Sequence, residues 1–167
     1  MQSPINGFAA MFKNGEYGPG LWKLSQNIWY WKDPQSFFII RIATVFDLFT
    51  FSSYCGTAVL FSVLSFVGGW MLFRTFYKIR PEAHFYIAIS CLFMPSLVFW
   101  GSGILKDTVT LAFVGISTYC VYFMVFELRI RFLYVALLVL SLYIIYSVKI
   151  YILISLLIAF IVWISAG

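Results

Sequence analysis

"YCGTAVLFSVLSFVGGWMLF", residues 54–73, is twenty consecutive residues without a charge. As one α-helix rising 1.5 Å per residue, such a run crosses a hydrocarbon core of about 30 Å. Lipid offers no hydrogen bonds, so a spanning segment must satisfy its backbone internally, as a helix or within a closed barrel. The run lacks the apolar–polar alternation of a barrel strand and is about twice such a strand's length. It is a membrane-spanning helix.

Working outward, the same pattern recurs. Uncharged runs cover 85–100 (reaching 105 if the helix continues), 108–126, 132–148 and 150–164. Spans near 54–73, 85–105, 108–126, 132–148 and 150–166 make an all-α, polytopic transmembrane bundle of about five crossings. Residues 132–167 as a single helix would be about 54 Å long. A break is therefore expected within "YSVKIY", 146–151, although it holds neither Gly nor Pro.

Composition excludes the soluble classes. The chain is 63% hydrophobic and 10% charged, where a soluble domain carries about 25% charged residues. Its net charge of +5 sits at the ends of apolar runs, where Lys and Arg anchor helices at headgroups. No basic stripe exists to neutralise phosphates, which argues against a nucleic-acid partner. Cys55, Cys91 and Cys120 lie in apolar runs without CxxC spacing and are expected to be small buried hydrophobes. A single histidine, His84, cannot build a multi-histidine metal site or a Ser/His triad. No metal or cofactor is expected.

The amino-terminal third differs. Residues 1–33 mix Gly, Pro and Asn with Trp22, Trp29 and Trp31 and several charges, as suits an extracytoplasmic, interfacial segment. Asp33-Pro34 resembles an N-cap followed by proline in the first helical position. Residues 34–53 then form an interfacial or half-inserted helix, because Arg41 and Asp47 make a clean crossing costly, about 2.5–3.5 kcal/mol per central charge. An additional short span is the alternative.

Alternating spans place residues 1–53, the 101–107 connection and 146–151 on one side, and 74–84 and 127–131 on the other. Near the helix ends the first side keeps Arg41, Lys106 and Lys149, and the second Arg74, Lys78, Arg80, Arg129 and Arg131. The positive-inside rule makes 74–84 and 127–131 cytoplasmic. The polar amino-terminal segment would then lie outside with no preceding signal. The carboxyl end follows an apolar run with no basic anchor, so a fragment of a larger membrane protein is expected.

Chemistry concentrates in "LFMPSLVFWGSGILKDT", 92–108. Pro95 should kink the second span, and Gly101-Ser102-Gly103, following Trp100, should end it. If Asp107 or Thr108 opens the next helix, its amide end, Lys106 and the Ser102 hydroxyl form a cradle for a phosphate. The spacing is not that of a P-loop, and a plain hairpin with Lys106 and Asp107 paired to each other or to nearby groups is the alternative. Arg41 and Lys149 fall on the same side and could add to the grip. Asp47, Asp33 and Glu16 are the outward carboxylates available as a general base, with helix capping or a bridge to Arg41 the alternative for Asp47.

"SFFIIRI" (36–42), "FSSY" (51–54), "LSFVGGWMLFRTF" (64–76), "LFMPSLVFWGSGILKDT" and "VKIYILI" (148–154) resemble a group of uncharacterised bacterial polytopic inner-membrane proteins. That group in turn resembles GT-C-type glycosyltransferases and surface-polysaccharide polymerases. The resemblance implies a polyprenyl-(di)phosphate-linked sugar handled at the outer face of the inner membrane, with membrane lipid and other membrane subunits as partners. It also implies a catalytic carboxylate in the first outer loop, for which Asp33 and Asp47 are the candidates. A transporter or flippase fragment, or a structural subunit, is the competing reading.

Overall fold

The computed structural model describes residues 34–51, 53–128 and 131–166, and among these every regular element is helical. Helix α1 is Pro34–Phe49 and α2 is Tyr54–Ile79. The next crossing, Pro81–Gly101, is assembled from short pieces, including α3 (His84–Ala88) and α4 (Pro95–Gly101). Helices α5 (Lys106–Val125), α6 (Phe132–Val148) and α7 (Ile150–Ala166) complete the chain. The α2, Pro81–Gly101 and α5 segments are long and apolar enough to cross a membrane. The last two are shorter apolar helices of 17 residues each, about 25 Å.

Helix α5 is the axis, with two-thirds of its apolar stretch buried. It runs parallel to α2, the broken crossing returning between them: Phe61 clusters with Val109, Gly68 abuts Ala112 and Gly115, and Arg74 lies over the Tyr119 ring at 5.6 Å. On its other side α6 returns, with Tyr134 against Tyr119 and Phe123 and Ile144 and Val148 in the Val109 cluster. Helix α7 then runs parallel to α5, bringing Trp163 onto Phe126 at 5.3 Å.

The α2–α5 contact depends on missing side chains. A Cβ at Gly68 would strike the Ala112 backbone, and one at Gly115 would strike the Gly68 backbone. Small residues let two helices approach until their backbones pack, which is how helices associate where lipid supplies no hydrophobic drive. Hydroxyls within the helices donate to their own preceding turns: Ser62 to Ala58 O, Thr75 to Met71 O and Thr118 to Val114 O. Polar side chains in the bundle are thereby satisfied without water.

Two interruptions shape the bundle. A π-helical turn at Ile89–Phe93 gives way to extended Met94, and Pro95 opens α4. Proline lacks the N–H for the preceding carbonyl and forces its neighbour out of helical geometry. The result is a full break where the sequence predicts a kink. Lys149, with φ −149° and ψ 90°, separates α6 from α7.

Helix α1 packs against α2 and α6 through Ile39, which joins Phe61, Ile144 and Val148, and through Phe46, edge-on to Phe61 at 5.3 Å. One end of the bundle thus gathers α1, the 101–106 connection and Lys149. The opposite end gathers the 79–84 and 126–128 connections, tied by an ion pair between Lys78 and Glu127.

Candidate functional site

At the α1 end, the first turn of α5 opens into a cleft of about 590 Å³ lined by Ser36, Ile40, Thr44, Asp47, Lys106, Asp107 and Lys149, among others. Helical periodicity explains the contribution of α1, since positions 36, 40, 43, 44 and 47 recur on one face. Ile39, Ile40, Ala43, Ile104 and Leu105 give the cleft apolar walls.

The start of α5 is fixed from behind. Leu105, the residue preceding the helix, is extended and makes no side-chain cap bond, and Lys106 and Asp107 of the first turn line the cleft. Thr108, fully buried, places its hydroxyl 2.8 Å from Trp100 O and 2.7 Å from Gly103 O. Those contacts tie the connection to the helix it precedes. Helix α5 begins at Lys106, one or two residues before Asp107 or Thr108, where the sequence predicts its start.

Charge is balanced across the cleft. Lys149 donates to Asp107 in an ion pair joining the α6–α7 turn to the first turn of α5. Burial opposes protonation of Lys149, yet hydrogen bonds to Asp107 and Tyr151 and the Asp107 charge outweigh it and raise its pKa above the ordinary lysine value. Asp47 accepts a hydrogen bond from the buried Thr57, whose oxygen lies 3.0 Å from that of Thr50. Among the described residues no lysine or arginine pairs with Asp47.

The site residues expected from sequence divide accordingly. Lys106, Lys149, Asp107 and Asp47 converge on the cleft. Arg41 does not line it; its guanidinium lies over the Phe37 ring at 4.9 Å, on another face of α1. Ser102 and Gly101 line a separate, smaller cleft between α2 and the broken crossing. The Ser102 hydroxyl donates to Phe99 O at 2.9 Å, and its carbonyl accepts from Ser62. Trp100 and Gly103 contribute carbonyls to Thr108; Pro95 sets the break above. Asp33 and Glu16 lie outside the described residues. Asp47 is held by Thr57 rather than by Arg41. Nothing in the sequence points to Thr57, and Thr108 is marked there only as a possible helix start, because hydroxyls inside apolar runs carry no signal of their partners. No group of His, Cys, Asp and Glu among the described residues could hold a metal ion. Searches of protein-family models, curated proteins and solved structures find no match to this chain.

Proposed function

We propose that this integral membrane protein engages the phosphate of an amphipathic lipid in the α1–α5 cleft. The observation that carries the reading is the convergence, in one cleft with apolar walls, of Lys106, Lys149 and the first turn of α5, which Leu105 does not cap through its side chain. Amide dipoles and lysines attract phosphate oxygens, while the Ile39, Ile40 and Leu105 wall accepts hydrocarbon. A polyprenyl-(di)phosphate-linked sugar at the outer face of a bacterial inner membrane is the ligand class we favour, with 74–84 and 127–131 cytoplasmic. In a glycosyltransferase-like or polysaccharide-assembly role, Asp47 is the carboxylate placed to accept a proton from an acceptor hydroxyl.

The experiment is binding of a short-chain polyprenyl phosphate to the purified chain, followed by native mass spectrometry. Lys106→Ala with Lys149→Ala should weaken binding at least tenfold, as expected for loss of charge-assisted hydrogen bonds. Arg41→Ala should leave it unchanged. Equal binding by the double variant overturns the reading.

A further inference from the structure

The cleft carries two carboxylates as well as two lysines, and the grip on a phosphate does not itself involve Asp47. Asp107 is engaged by Lys149. Asp47 lines the same cleft, is partly buried and is positioned by the Thr57 hydroxyl, with no cationic partner among the described residues. A carboxylate at a membrane rim is stabilised by an opposite charge within hydrogen-bond reach. Lys106 and Lys149 project into the cleft from α5 and the α6–α7 turn, whereas Asp47 projects from α1. Beside the Lys149–Asp107 pair, the cleft therefore presents lysines from one side and the Asp47 carboxylate from another to one occupant.

We infer that the head group taken by this cleft is zwitterionic: a phosphate held by Lys106, Lys149 and the first turn of α5, joined to a primary ammonium held by Asp47. This rests on the lipid-phosphate reading above and narrows it. The ammonium donates to the Asp47 oxygens, and Thr57 keeps the carboxylate turned towards the cleft. The hydrocarbon follows the apolar wall. Either a lipid with an aminoethyl phosphate head or a lipid-linked amino sugar phosphate supplies this chemistry.

The test compares phosphatidylethanolamine with phosphatidylglycerol of identical acyl chains, titrated onto the full chain in detergent and read by native mass spectrometry. Soluble phosphoethanolamine, added as a competitor, separates a head-group site from one that needs the lipid. The ethanolamine lipid should bind about tenfold more tightly, the scale of one charge-assisted hydrogen bond. Asp47→Asn keeps an acceptor for Thr57 and should reduce that preference to parity, while Asp47→Glu should retain most of it. Equal binding of the two lipids by the wild type, with both weakened by Lys106→Ala, overturns the zwitterion inference and leaves the phosphate reading standing. Binding indifferent to Lys106→Ala and Lys149→Ala overturns both. A preference that persists in Asp47→Asn overturns the role given to Asp47.

Discussion

Lys149 interrupts two apolar helices, and burial alone would make it a weaker base. The bonds to Asp107 and Tyr151 reverse that, so its folded pKa lies above its unfolded one. A group raised on folding contributes stability that is fully present below the unfolded value and is lost as pH rises through the folded one. The Lys149–Asp107 tie is therefore intact at neutral pH, and deprotonation of Lys149 breaks it in alkali, above the ordinary lysine value of about 10.4. Lys149→Met should lower thermal stability in detergent by about 1 kcal/mol at pH 7, given that the Asp107 side chain is 46% exposed. The gap between variant and wild type, followed by tryptophan fluorescence, should close as pH passes that range; a gap constant up to strongly alkaline pH would contradict the assignment. The candidate residues Lys106, Asp107 and Lys149 are visible in the sequence because they are rare polar groups between apolar runs. Their pairing is not visible, since Asp107 finds a partner 42 positions away and not its neighbour. Arg41 shows the complementary failure. The helix is legible, but which of its faces meets the bundle depends on Ile39 and Phe46 packing on Phe61 and α6.

Among the elements, α2 and α5 set the stability of the bundle, and their contact gives a graded prediction. Gly115→Ala puts a methyl into the Gly68 backbone and Gly68→Ala puts one into the Ala112 backbone, and backbone cannot swing aside as a side chain can. Each should destabilise the purified protein by about 1–3 kcal/mol, as overpacking does. Gly103→Ala meets Leu105 side-chain atoms at 3.4 Å and should be nearly neutral. Thermal melts of the three variants check the order; equal effects would place the close approach elsewhere. A glycine pair at 68–69 is plain in the sequence, but nothing there says that Gly115 is its counterpart. The crossings are legible because a span must be continuously apolar and helical. The break at Pro95 exceeds the kink expected of proline, a π turn at Ile89–Phe93 and an extended Met94 standing directly before it.

At the scale of the whole molecule, both ends are closed by a lysine–carboxylate pair, Lys149 with Asp107 and Lys78 with Glu127. These pairs sit at opposite ends of α5, so they belong to opposite membrane surfaces if α5 crosses. The position of Lys149 beside Asp107 further requires α6 to return across the bilayer. At 17 residues α6 is about 5 Å short of a 30 Å core, a mismatch that local thinning or snorkelling of Lys149 accommodates at modest cost. Single cysteines placed in a background lacking Cys55, Cys91 and Cys120 should report this directly. Those at 106 and 149 should react with a membrane-impermeant maleimide from one side, and those at 80 and 82, both exposed in the 79–84 connection, from the other. A cysteine at 165, near the end of α7, should label with 80 and 82, because α7 runs parallel to α5 and ends beside Tyr122 and Phe126 through Trp163. Labelling of 106 and 149 from opposite sides would separate the two lysines by a bilayer and dissolve the cleft. Labelling of 165 together with 149 would instead make the last helix a re-entrant one, leaving the lysines together and the cleft intact.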